Sequence, residues 1–555
     1  MIRTLRIYLI VSVLVVCQQT DAQSLVDRVN HHLSPYEDRY HTVNADFTLV
    51  SNKMLYANPA FTQWHNQTDS TLQQGNAIVY AGMTGGDSKG DFIPYEGKGS
   101  ADYRMGAYGE YTTSRSGVLS GSIQYAQGKH RDIGWSAMRL PELYFPYIST
   151  DSCGGDFKFD TYYAEGSYAF TLKEWTLGVK GSFYGEQAYR LTDPRALNNT
   201  TWLRFNAGLA RQVEQHLLMA DAGYGRNKQH MQLRYWRPGQ QDRFFVCYGF
   251  GLYDTRQSAV SFGKSRMYYI DEYNARIQYL SPREKAFRLH ASIAYSYQHM
   301  KTEESDIYNL YESRSHQLSP LIRVTYHTQS DWCFELAAMA DIMMRKGYEN
   351  IIEEYLIDKS NNIYDFRTID TRQNYIRNTG KYSAALKASK RMGSIEMSLQ
   401  GGTSLDGYEE KYKTNDYLIK VQTMTPHVKV GLNWQGNYDE LFISMLYAHQ
   451  GVESNDYKVS FPNQPIAHLD FQHAFAPYAF RCAEVNKVAT AITWQHQLKK
   501  MSVGMNAELY WVNGYRKNEI AYNGSIGFPS TAPMISTTPD KHQERWAELT
   551  AFVTF

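Results

Sequence analysis

Over most of this chain apolar and polar residues take turns, in runs of about ten. In residues 501–511, Met501, Val503, Met505, Ala507, Leu509 and Trp511 share one face, and Ser502, Gly504, Asn506, Glu508 and Tyr510 share the other. Residues 287–297, 332–342 and 175–185 repeat the pattern, each with an aromatic at or near one end of its uncharged apolar face. A period of two places successive side chains on opposite faces of an extended strand. About ten tilted residues cross the hydrocarbon layer of a bilayer, and aromatics at strand ends match its interfaces. Strands of a soluble sandwich usually run to about five or six residues. The pattern therefore predicts an all-β chain folded as a single transmembrane antiparallel β-barrel.

The connections sort into two kinds. Short polar turns fall at 112–117, 173–174, 211–215, 281–285, 328–331, 389–393, 435–439 and 496–500. Between them lie long stretches at 128–156, 300–316, 345–373, 451–478 and 514–543, expected to be irregular. Short turns on one side and long loops on the other are the arrangement of membrane barrels, the short side being periplasmic and the long side extracellular. Counting between the turns from Asn76 to Phe555 gives eighteen strands, with sixteen as the next count. The weak point is 243–253 (RFFVCYGFGLY), read as an apolar part of a long loop that folds inward or as a further strand.

Both ends carry signals of their own. Arg3 and Arg6 precede a ten-residue apolar run at 7–16, too short to span a bilayer as a helix. Thr20-Asp21-Ala22 offers cleavage before Gln23, so residues 1–22 read as a signal peptide; the rival reading is a lipoprotein signal ending at Cys17. Residues 23–75 form a small periplasmic or hatch segment, with Leu25, Val29 and Leu33 spaced for a short helix, and residues 76–555 form the barrel. At the other end Leu549, Ala551 and Val553 alternate with Glu548, Thr550, Phe552 and Thr554 up to a terminal Phe555. This resembles the terminal-strand signal read by the barrel-assembly machinery of Gram-negative outer membranes. The resemblance implies an outer-membrane location, with membrane lipid, lipopolysaccharide and that machinery as partners, and other outer-membrane or lipoprotein subunits as further candidates.

Asn58-Pro59-Ala60, just before the first barrel strand, resembles an element of the long-chain fatty-acid transporter family and of porin-like secretion-system proteins. The simpler reading is a turn, since Asn opens turns and Pro fixes φ. The strand count here exceeds that expected for the transporter family. With 45 tyrosines, the chain as a whole resembles the Tyr-rich outer-membrane barrels of Bacteroidota.

The chemistry of the sequence is that of a lumen rather than of an active site. Lys and Arg total 57 against 56 Asp and Glu, which gives no surplus for nucleic acid. Mean hydropathy of −0.52 excludes a bundle of membrane helices. No zinc, nucleophile-elbow or phosphate-loop motif is found, so no catalytic residue, metal site or cofactor is expected. Residues 358–362 match the first half of a calcium loop, which then fails at Ile363 and Ile369. Cys153, Cys247 and Cys482 fall in or beside outer loops, where one disulfide could form, and Cys333 should face the lumen. Arg288, His290, Arg323, Glu335, Asp341, Glu396, Lys429 and Glu508 fall on the inward register, predicting a lumen of mixed charge, either conducting or braced shut. The leading function is a non-enzymatic barrel that passes a small solute or serves an uptake assembly. The alternative is a structural or secretion-accessory barrel that binds protein partners through its outer loops.

Overall fold

The computed structural model describes residues 47–68, 75–90, 92–114, 117–151, 153–234, 236, 244–250, 253–254, 265–282, 285–304, 309–361, 363–458, 477–516 and 541–555. The expected signal peptide and the helix expected around Leu25–Leu33 lie outside them. Two helices come first, α1 (Phe47–Ala57) and α2 (Pro59–Thr68). Then come β1 (Gly75–Gly90), β2 (Gly99–Ser114), β3 (Gly117–Ile133), β4 (Ser149–Asp151), β5 (Gly155–Leu172), β6 (Trp175–Arg190) and β7 (Arg195–Val213). They are followed by β8 (His216–Arg234), β9 (Phe244–Cys247), β10 (Tyr253–Asp254), β11 (Ser265–Leu280), β12 (Phe287–Glu304), β13 (Tyr311–His327) and β14 (Trp332–Asp358). The last are β15 (Ile363–Met392), β16 (Ile395–Tyr412), β17 (Tyr417–Gln435), β18 (Asp439–Lys458), β19 (Ala483–Gln497), β20 (Ser502–Arg516) and β21 (Lys541–Thr554).

All but β4, β9 and β10 form one 18-stranded antiparallel sheet, and β1 pairs back onto β21, so the sheet closes into a barrel. At the seam Val79 faces Val553 and Ala81 faces Ala551. Backbone bonds between Ala77 and Phe555, at 2.8 and 3.3 Å, finish the ring. Closure removes the sheet edges that a bilayer could not satisfy. The count is the eighteen expected from the turns. Segment 243–253 is not a wall strand: it supplies β9 and β10, which join β4 in a separate three-stranded sheet.

The outer surface is apolar where a soluble protein would be polar. Ile123, Phe205, Ile277 and Leu509 all stand more than half exposed. Trp175, Phe287, Trp332, Trp434 and Trp494 ring the short-turn end, while Tyr224, Tyr273, Tyr295, Tyr382 and Trp511 form a second ring farther along the strands. These are the two aromatic girdles of a membrane-spanning band. The short turns reverse the chain through a residue at positive φ, as at Lys173 (57°), Glu214 (57°), Asp331 (62°) and Gly393 (63°).

The wall strands run to between 14 and 30 residues, well beyond the ten needed to cross the bilayer. Much of 300–316 and 345–373 is therefore strand rather than the irregular loop expected. Above the lipid band the outward face no longer has to be apolar, so alternation fades while the hydrogen-bonded ladder continues. Leu549, Ala551 and Val553 face outward, and Phe555 is 56% exposed at the rim. Because Phe555 packs so little, Phe555→Asp should lower the amount of barrel assembled in the membrane. The melting temperature of what does assemble should stay nearly unchanged. Normal membrane levels of the variant would refute a role in assembly.

Candidate functional site: a lumen occupied at both ends

The inward face mixes polar and charged side chains with apolar ones such as Ile78, Phe157, Ile270, Ile419 and Val421. All eight charged positions singled out from the sequence lie on the inward register, but spread over β12, β13, β14, β16, β17 and β20 rather than gathered in one site. Arg323 donates to Glu335 at 2.7 Å. Asp341 accepts from Gln317 at 2.7 Å and Ser319 at 3.0 Å. Asn506 donates to Glu508 at 3.1 Å. Arg288 is exposed, and Glu396 and Lys429 are half-buried. His290 is buried against Ser51 of α1, with 2.7 Å between Nδ1 and Oγ.

That last contact belongs to an element seated at the short-turn end. Asn58 ends α1 and caps α2: its side-chain Oδ1 accepts from the Ala60 backbone N–H at 2.9 Å, and Pro59 occupies the first helical position. The Asn-Pro-Ala element is thus a helix cap. Its junction fits a notch in the wall made by two glycines. A Cβ on Gly178 would stand 2.5 Å from Pro59 and Ala60, and one on Gly208 would collide with Asn58. Asn58 Nδ2 also donates to the Ala220 carbonyl at 3.1 Å. Arg276 and Gln278 from β11 both donate to the Met54 carbonyl, at 2.8 and 2.6 Å, in the last turn of α1, where carbonyls lack helical partners. Phe61 and Trp64 pack with Ala210, Leu217 and Met219 of the wall.

A larger element fills the long-loop end. Residues 134–151, expected to be an outer loop, turn into the barrel instead. Ala137, Met138, Tyr144 and Tyr147 have no measurable exposure, and Phe145 and Ile148 are nearly as buried. Beside them Val246, Cys247 and Phe250 are buried too, and the Cys247 N–H donates to the Ile148 carbonyl at 2.9 Å. So large an apolar cluster left in water would be unusual, and the lumen shelters it. The wall supplies the fastenings. Arg190 of β6 pairs with Asp151 at 2.5 Å, both side chains wholly buried. Arg377 of β15 pairs with Glu142 at 2.9 Å. Arg345 of β14 donates to the Glu142 and Phe145 carbonyls at 2.9 and 3.0 Å, and Arg139 in the loop pairs with Glu186 of β6. Asn198 donates to the Ala137 carbonyl at 3.0 Å, and Tyr144 donates to Asn227 at 2.8 Å. A plug held by buried ion pairs keeps a fixed position, because each charge is satisfied only in place.

Cys153, Cys247, Cys333 and Cys482 are all free thiols, so the possible disulfide is not formed. Burial pushes the Cys247 thiol up to about 12. Asp358 closes the β14–β15 turn by accepting from the Ser360 N–H at 2.8 Å, which makes that segment a hairpin tip.

Fold and lumen together define a transmembrane β-barrel of the outer-membrane type. The chain belongs to DUF6850, a family of unknown function, whose model matches residues 59–551. That match begins at Pro59, in the helix junction docked on the wall. No curated protein matches the chain. Among solved structures it is similar to the FrpB iron transporter from Neisseria meningitidis, F3-3 variant (8% identity, 87% of this chain and 82% of that one, TM-score 0.40). It is also similar to the copper transporter OprC (10%, 86% and 82%, 0.39) and to the ferric citrate transporter FecA in its unliganded form (8%, 86% and 78%, 0.39).

Proposed function

We propose that the protein is a non-enzymatic, gated transport barrel of a bacterial outer membrane, passing a small solute or serving as the membrane part of an uptake assembly. The observation that carries this reading is the form of the closure. The lumen carries buried and half-buried charged and polar side chains from many strands, and it is occupied by two elements that are not part of the wall. The loop plug approaches from the extracellular end and the helix pair from the periplasmic end. A barrel with only a structural role needs no polar interior; side chains alone could pack it. Residues 23–75 then act as a periplasmic hatch, held by the Gly178–Gly208 notch and a handful of hydrogen bonds.

Deleting residues 23–75 should leave a folded barrel, still shifted by heat on an electrophoresis gel. In a barrel whose residues 135–150 are also replaced by a short turn, it should give faster entry of small polar solutes in a liposome-swelling assay than that replacement alone. Entry no faster than with the replacement alone would remove the hatch. Loss of the folded form would make the segment a structural part of the barrel.

A further inference from the structure

The plug does not reach the whole wall. Its apolar core touches the wall from the end of β3 at Ile133 and β5 at Phe157 and Phe159 round to Tyr457 of β18, and meets Ile93 and Tyr95 of the β1–β2 loop. In the remaining arc, between β18 and β1, lies a cavity of about 200 Å³ lined from both the wall and the β1–β2 loop. The space suits a molecule of amino-acid size, and it lies beside the plug rather than behind it.

Its polar groups are unevenly provided for. Lys487 of β19 points inward, and its ammonium has one hydrogen-bond partner among the described residues, the neutral Gln450 Oε1 at 2.9 Å, with Glu544, Asp406 and the like-charged Lys381 within electrostatic reach. An ammonium carries three N–H donors, and a charge inside a protein is costly until it meets an opposite charge. The Tyr510 hydroxyl on the neighbouring strand has no hydrogen-bond partner among the described residues. Two donors therefore face the cavity with no anion hydrogen-bonded to either. Carboxylates stand across from them: Glu544 of β21, met by His542 at 3.0 Å, and Glu96 from the β1–β2 loop. Lys487 and Glu544 flank Val512 from its two sides, so their backbones lie two strands, about 10 Å, apart. The rings of Phe92 and Phe480 complete the lining.

We propose that this cavity binds a small zwitterion with an apolar body, an amino acid or short peptide. Its carboxylate is held by Lys487 and Tyr510, its ammonium by Glu96 and Glu544, and its side chain by Phe92 and Phe480. As a statement about cargo this rests on the transport reading; as a statement about binding it stands alone.

The test is calorimetric titration of the full chain in detergent micelles with L-phenylalanine, 3-phenylpropionate and phenethylamine. The last two keep the ring but lack the ammonium or the carboxylate. Phenylalanine should bind saturably, and either analogue at least tenfold more weakly. Lys487→Met should abolish the advantage of phenylalanine over phenethylamine, and the near-isosteric Tyr510→Phe should reduce it several-fold. Equal binding of all three probes, phenylpropionate binding as tightly as phenylalanine, or no saturable binding by any of them would overturn the proposal. Phenylalanine entry into proteoliposomes is measured separately. Binding without entry would keep this site and count against transport, whereas entry without binding would do the reverse.

Discussion

Replacing Arg190 with Leu should loosen the 134–151 loop from the wall at a cost of about 3–5 kcal/mol, the usual effect of removing one member of a buried ion pair. Arg190 makes more than one bond. Besides Asp151 it reaches the Pro194 carbonyl at 2.7 Å and the Ser136 carbonyl at 3.4 Å, so it ties the plug to both its own strand and the next turn. Leu would leave the Asp151 carboxylate fully buried beside two carbonyl oxygens. Asp151 also accepts from the Cys153 and Gly154 backbone N–H groups, at 2.9 and 3.0 Å, which a neutral amide oxygen could still do. Adding Asp151→Asn to Arg190→Leu should therefore recover part of the loss. The readout is Cys247, a buried thiol whose raised pKa adds to its protection. Its labelling by a membrane-impermeant maleimide should be negligible in the native protein, rise in Arg190→Leu and fall again in the double variant. Unchanged labelling across the three would mean that the plug is held by its apolar core alone.

The second large effect lies on the opposite face of the wall. Leu386 of β15 pairs with Leu336 of β14, both more than half exposed, between the girdle positions Trp332 and Tyr382. Arg there would place a guanidinium in hydrocarbon, a cost of about 2–4 kcal/mol near the midplane. Glu396→Arg is also a charge change, but on the inward register, and should stay within about 0.5 kcal/mol. Urea titration of refolding into lipid vesicles separates the two. Equal costs would contradict the assignment of faces. Asn506 and Ser292 make poorer inward comparators because both are buried against neighbours.

The barrel was legible because a lipid-facing wall imposes a strict chemical rule on every second residue, and each short turn marks where the rule restarts. Leu336, Ile293 and Leu509 obey it as plainly in sequence as in space. The plug obeys no period, which is why 134–151 reads as an outer loop. A signal was nevertheless present: Trp135, Met138, Leu140, Tyr144, Phe145, Tyr147 and Ile148 are too apolar a set for a loop in water. The same consideration pointed to an inward fold for 243–253 and applies equally here. The fastening residues were harder to find. Arg190 ends its strand while Arg345 and Arg377 lie midway along theirs, and the loop groups they hold, at Asp151 and Glu142, lie at sequence distances that no local pattern links. Asn58-Pro59 could have been read as a helix cap from residue types alone, but its seat needs Gly178 and Gly208, more than a hundred residues away.

Single-channel current in planar bilayers shows whether the lumen is a pore closed by its own loop. Ile133 and Gly155 are partners at the top of β3 and β5, so residues 135–150 can be replaced by a short Gly-Ser turn without stretching the wall. The native protein should be nearly silent, and the shortened one, also lacking residues 23–75, should show long-lived open steps of uniform size. Silence from both, with the shortened barrel demonstrably folded in the membrane, would contradict a gated pore and favour a barrel whose outer loops serve partners instead.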